Sequence, residues 1–389
     1  MNAPMIPLAV PDVSGNEAAY LQECIQTTYV SSVGPFVKRF EALLTESTGA
    51  ADTVTTCSGT SALHLALTTV GVGRDDLVIL PDLTFIASAN AISHCGARPW
   101  LIDVQSESWM LDVPALERLF AGQTRMDGGR LIHAPTGRRI AAIMPTYTLG
   151  APVDMDPLCA LASRYGLPVV ADGAAALGAT YKGKPLAQMG ATLTAISFNG
   201  NKTVTSGGGG AIVGADAMLI ARARHIGSTA RVGADYDHDS VGYNYRLTNI
   251  EAAVGCAQME RLPQFIAAKR HIRQSYDAAF AGHPALAGFP HCSWGDSACW
   301  MSGVVLAPEA GSRAGNIRAR LRESGIDARP FWKPMHLQLP YKNASRGDVS
   351  VSTSLWQRIL TLPCSVALSE QDLQRTIAAT LAAVSAEMP

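Results

Sequence analysis

The chain has 389 residues, 48% of them hydrophobic and 16% charged, with 31 basic residues against 32 acidic ones and a formal net charge of -1. That length holds about two domains, and a chain of this size buries roughly three quarters of its surface without covalent staples. The composition excludes a disordered or fibrous chain, and the balanced charge argues against nucleic acid or an anionic membrane as a partner.

The eight cysteines form no C-x-x-C pair and have no histidines at metal-ligand spacing, so they read as buried, reduced thiols and no metal is expected. The opening MNAPMIPLAV lacks a basic segment and is broken by prolines, unlike a secretory signal. No apolar run reaches 18 residues, so no membrane span and a cytoplasmic location are expected.

Short apolar, β-branched runs at 53–56, 77–80, 100–104, 141–144, 168–171, 194–198 and 211–213 alternate with helix-length segments. This pattern predicts an α/β fold whose large domain holds a mostly parallel, seven-stranded sheet covered on both faces. Stretches 121–139 and 227–242, rich in glycine and charge, read as surface loops or flaps. After residue 255 the texture changes to a charged helical run, then SGVVLA, then a helix-like segment near 316–324. A large domain over 1–255, with an N-terminal arm, and a smaller α+β domain over 256–389 are therefore expected.

Lys202 follows a strand in SFNGNK and precedes four glycines at 207–210, where backbone lies open to close approach. Burial there would depress its amine and make it a Schiff-base nucleophile. Asp172 ends an apolar strand, at the sheet edge where open α/β proteins bind ligands, and a carboxylate there can hold a pyridinium nitrogen. Gly59, Thr60 and Ser61 form a strand-to-helix turn able to cradle a phosphate dianion, with Ser197 offering another hydroxyl. Phe85, after a strand end, could stack on a heteroaromatic ring. Each residue alone has an ordinary explanation as a turn, cap or core position; together they point to pyridoxal phosphate chemistry.

The blocks YVSSVGPFVKRFE (29–41), SGTSALHLAL (58–67), PDLTFIASANAI (81–92), VVADGAAALGATYKG (169–183), SFNGNKTVTSGGGG (197–210), GYNYRLTNIEAA (242–253) and RPFWKPMH (329–336) run nearly end to end. In that order they make the chain similar to the DegT/DnrJ/EryC1/StrS family of pyridoxal-phosphate sugar aminotransferases, of aspartate-aminotransferase-like fold type I. The resemblance implies that Lys202 carries pyridoxal 5′-phosphate as a Schiff base, Asp172 faces its ring nitrogen and Phe85 covers the ring. It implies that Gly59, Thr60, Ser61 and Ser197 hold the phosphate, and that Asn244 reaches a second subunit's phosphate site in a homodimer. It further implies that L-glutamate donates nitrogen to C4 of a UDP-linked 4-keto-6-deoxy-N-acetylhexosamine, for cell-surface sugars. A 3-aminotransferase and a non-catalytic cofactor-binding homologue are the alternatives. Ser31, Ser32, Arg329, Trp332 and His336 are candidate substrate contacts. Two positions depart from the family: Ala175 stands where Glu, Gln or His usually contacts the cofactor's phenolic oxygen, and Tyr147 where a histidine is usual.

Overall fold

The computed structural model describes residues 4–387. Seven strands form its central sheet: β1 (Asp52–Thr56), β2 (Leu77–Pro81), β3 (Arg98–Ile102), β4 (Arg138–Ile143), β5 (Val170–Asp172), β6 (Leu193–Ser197) and β7 (Gly210–Gly214). Their spatial order is β1-β7-β6-β5-β4-β2-β3, the β4–β5 seam being made by bridges Ile143–Val169 and Thr146–Asp172. Only β7 runs antiparallel to its neighbours, β1 and β6.

Both faces of this sheet are buried, which is why its strands read as unbroken apolar runs. In β2, Leu77 and Ile79 enter the core on one face while Val78 and Leu80 enter the core on the other. Helices α2 (Pro35–Thr48), α5 (Val113–Gln123), α6 (Met155–Arg164) and α8 (Asn249–Met259) contribute to the first core. Helices α3 (Gly59–Thr69), α4 (Ile86–His94) and α7 (Ala217–Gly227) contribute to the second.

A third core lies beyond α9 (Leu262–Phe280). There an antiparallel sheet runs in the order 286–287, 302–306, 359–362, 329–330, packed with α9, α10 (Ala314–Glu323) and α12 (Glu370–Glu387). Ile6 belongs to this core too, bridging to Ile326, so the first described residues pack against the C-terminal part of the chain. In return Ser345–Arg346 adds to the outer edge of β3.

Two sequence expectations change. Within 121–139 the chain forms a hairpin, Thr124–Asp127 with Arg130–His133, whose second strand pairs with β4. Its two-residue turn is Gly128-Gly129, both at positive φ (54° and 76°), the backbone that a tight hairpin needs and glycine supplies. The thiols are also not all buried: Cys57 is exposed, and Cys95, Cys159 and Cys292 are half-buried. Cys57 stands at the mouth of the β1–α3 turn, where the sheet edge opens.

That turn depends on the glycines of β7. A Cβ on Gly210 would lie 2.6 Å from the Ser58 carbonyl oxygen and 2.7 Å from the Gly59 nitrogen, both backbone atoms. Gly210→Ala therefore pushes β7 away from the start of α3. The expected loss, read from urea denaturation, is about 1–3 kcal/mol, the usual range for overpacking.

Candidate active site

The functional side chains gather at the carboxyl edge of the sheet, where successive crossovers leave strand ends facing a crevice. Asp172 is the last residue of β5 and Ser197 the last of β6; the register pairs Ala195 with Asp172. Thr146 follows β4 and Phe85 follows β2, while the β1–α3 turn supplies Ser58, Gly59 and Thr60. All of these, with Lys202, Asn199 and Asn201 from the turn after β6, line one cavity of about 280 Å³.

Lys202 is the electrostatic centre of this cavity. Burial lowers its amine from the ordinary 10.5 to about 8, against the opposing pull of the Asp172 charge. Its Nζ lies 3.7 Å from the centroid of the Trp300 ring, a cation–π contact. The indole N–H of Trp300 donates to the Asn201 carbonyl oxygen at 2.7 Å, which fixes the ring beside the lysine turn. Asp172 is 5% exposed. Its Oδ2 accepts from the Ser88 hydroxyl at 2.6 Å and its Oδ1 from the Ala174 N–H at 3.1 Å.

The N-terminus of α3 forms the cradle. Ser58 caps the helix, its Oγ accepting the Ser61 N–H at 3.0 Å, and the hydroxyls of Ser58 and Ser61 lie 2.9 Å apart. Gly59 and Thr60 occupy the first helical turn, where backbone N–H groups lack helical partners and favour an anion. A Cβ on Gly59 would come within 2.7 Å of the Ser197 Cβ, so the helix start and the β6 end approach closely only with glycine there.

The structure does not bring every sequence candidate to this cavity. Trp332 lines it, with Phe85 at 5.9 Å and Trp300 at 6.1 Å between ring centroids. Arg329 instead faces solvent and pairs with Asp327 at 2.6 Å. His336 turns toward the fully buried Asp82, whose oxygens accept its Nδ1 proton at 2.6 Å and its backbone N–H at 2.9 Å. Burial raises the Asp82 carboxyl, and the histidine is its counterpart. Ser32 lines a separate cavity of about 500 Å³ between α2, β1 and α7, and Ser31 is exposed. Asn244 is exposed as well, because Tyr243 and Tyr245 stack on each other and pack against His64, leaving the residue between them pointing out.

Tyr147, one of the two departures, lines the cavity, while its hydroxyl turns away to the Met155 sulfur at 3.3 Å inside the core. Ala175, the other, lines the cavity. Trp300, Asn199, Asn201 and Ser88 escaped the reading of the sequence. Asn199 and Asn201 lie within the lysine block and were within reach of it, whereas Trp300 comes from about a hundred residues further on and carries no local signal.

Comparison with known proteins bears directly on this arrangement. The model of the DegT/DnrJ/EryC1/StrS aminotransferase family matches residues 11–381. The chain belongs to this family. It is 37% identical over 378 residues to a GDP-perosamine synthase of Caulobacter vibrioides, covering 97% of each chain, and 34% identical to one of Escherichia coli O157:H7, covering 95% of each. Among solved structures it is similar to a DegT DnrJ EryC1 StrS aminotransferase from Brucella abortus, with TM-score 0.86, 28% identity and 94% and 95% of the two chains covered. It is also similar to S. venezuelae DesV, crystallised with a ketimine intermediate, with TM-score 0.87, 26% identity and both chains covered in full.

This family member is thus a sugar aminotransferase of fold type I, and its cofactor is pyridoxal 5′-phosphate. The residues present fit that group: one cavity offers an amine, a buried carboxylate and a hydroxyl-lined helix start that leaves room for an anion. Among the described residues no helix is long and apolar enough to cross a membrane, and no cluster of three or more His, Cys, Asp and Glu could hold a metal.

The depressed lysine has a thermodynamic consequence. Between pH 8 and 10.5 the unfolded chain keeps a proton that folded Lys202 has released, so stability rises with pH across that window. Below about 8 the whole penalty is present. The cofactor-free Lys202→Met variant is expected to be more stable than wild type at pH 7 by at most about 3 kcal/mol, with the gap closing toward pH 10.5. Denaturant titrations at pH 7, 9 and 10.5 read this directly.

Proposed function

We propose that this sugar aminotransferase moves an amino group from L-glutamate to the C4 keto group of a nucleotide-linked 4-keto-6-deoxy sugar, as a homodimer with shared active sites. The observation that carries the reading is the single cavity holding Lys202, Asp172 and the α3 cradle together. Pyridoxal phosphate, when bound, supplies the electron sink that makes a carbon–hydrogen bond beside nitrogen acidic. Lys202, with its amine at about 8, carries the cofactor and then holds or gives up a proton near neutral pH. Asp172 presents a carboxylate to the ring nitrogen. Gly59, Thr60, Ser61 and Ser197 hold the phosphate, while Phe85 and Trp332 form the aromatic wall and limit water.

Asn244 supports the dimer. It is exposed in its own chain while its neighbours Tyr243 and Tyr245 are anchored, the arrangement a contact to a second subunit requires. For the nucleotide, two relatives named GDP-perosamine synthase favour GDP. The VSSVG, SFNGNK and GYNYRL motifs favour UDP-N-acetylhexosamine as the second reading.

The deciding experiment incubates the loaded enzyme with L-glutamate and GDP- or UDP-linked 4-keto and 3-keto sugars, and weighs the products. A 4-amino sugar is expected; glutamate turnover in the first half-reaction with no amino sugar from any acceptor would overturn the substrate class. Absence of even that half-reaction would identify a non-catalytic homologue. Lys202→Ala is expected to lose the visible absorbance of the bound cofactor and to lower turnover by several orders of magnitude, and a variant that keeps both removes Lys202 from its role.

A further inference from the structure

Three buried hydroxyls lead to the Asp172 carboxylate. Thr146 Oγ1 lies 2.9 Å from Thr84 Oγ1, which lies 2.9 Å from Ser88 Oγ, which donates to Asp172 Oδ2 at 2.6 Å. Thr84 and Ser88 have no exposed surface, and Thr146 is 4% exposed. Each hydroxyl carries one proton. Because Ser88 commits its proton to the carboxylate, it can only accept from Thr84; Thr84 can then only accept from Thr146. The carboxylate thus orders the direction of the whole chain. Valine has the shape of threonine and no polar group to satisfy, so core packing alone does not call for hydroxyls at 84 and 146.

Ser88 lies one turn after Phe85, the residue that precedes α4 and lines the cavity. The start of one helix therefore places an aromatic wall on the cavity and a donor on the carboxylate. We propose that Ser88 is a positioning residue for Asp172: with the Ala174 N–H it fixes the plane in which the carboxylate meets the cavity, and Thr84 and Thr146 hold Ser88 in that pose. This deepens the function proposed above and rests on its assignment of Asp172 to the cofactor.

The test measures pyridoxal phosphate binding to wild type, Ser88→Ala and Ser88→Thr by quenching of tryptophan fluorescence, together with the pH midpoint of the bound cofactor's visible absorbance. A lost hydrogen bond to a charged group predicts affinity weaker by about 10-fold or more in Ser88→Ala, with a displaced pH midpoint. Ser88→Thr, which keeps the hydroxyl, is expected to return both toward wild type. A Ser88→Ala protein that melts earlier without cofactor, yet keeps wild-type affinity and midpoint, would show a structural role only and overturn the proposal. Should Ser88→Ala fail to fold, Thr84→Val takes its place: a smaller loss of affinity supports the chain, and unchanged affinity overturns it. Wild type that does not hold the cofactor through Lys202 would instead defeat the underlying assignment, an outcome visible before any Ser88 variant is compared.

Discussion

A partly buried lysine amine facing a single buried carboxylate is the constraint around which the rest of this molecule is arranged. Such an amine loses solvation that one carboxylate across a cavity does not restore, and its depressed affinity for protons is the measure of that loss. A domain can tolerate it only where the surrounding fold is rigid and well stabilised. Here the rigidity comes from a sheet buried on both faces, whose strand ends deliver Asp172 and Ser197 at neighbouring positions. The Trp300 face then gives the charged form of the amine a partner that an apolar wall would not.

The chemistry proposed above needs an anion site and a base within one small space, and two unlike devices are placed to supply them. The anion site is backbone: an uncommitted helix start, reached because Gly59 and Gly210 let α3, β6 and β7 crowd together. The base is a side chain whose reactivity is set by burial. These devices fail in different ways, since added bulk closes the first while added water disarms the second. The aromatic trio Phe85, Trp300 and Trp332 bears on the second, because all three line the cavity.

Much of this was legible in the sequence because it is local. Strand ends, the α3 cap, the glycine tetrad and the lysine turn each lie within a few residues of their own signal, so Asp172, Ser197, Lys202 and Gly59–Ser61 could be singled out. The hairpin at 124–133 was equally local, but its glycine pair was read as loop composition and not as a two-residue turn. What stayed hidden depends on pairings far apart in the chain. Nothing near His336 announces that a buried Asp82 some 250 residues earlier takes its imidazole, and Trp300 reaches Lys202 only through the packing of the C-terminal part. A polar residue in a proline-rich loop looks available from the sequence; whether it is available depends on buried charges elsewhere that need a counterpart.

The same reasoning separates the two family departures. Tyr147 lines the cavity but is buried in the core, where its hydroxyl finds only a methionine sulfur, so this change takes the polar group away from the site. Ala175 lies on the cavity wall and withholds the polar group that the family pattern leads one to expect there. Its methyl abuts the core to which Trp300 belongs, on the side from which the 298–300 segment docks against Leu149 and Gly150 through the Ala298 and Trp300 N–H groups. A Cβ on Gly150 would lie 2.6 Å from the Ala175 carbonyl oxygen and 3.1 Å from the Ala298 Cβ, so the backbone at 175 and that segment meet at one glycine. The wall here thus presents a methyl group at 175 and an aromatic face at Trp300. In the function proposed above, position 175 offers the cofactor no polar side chain, and Asp172, where the hydroxyl chain ends, is the charged side chain that faces its ring.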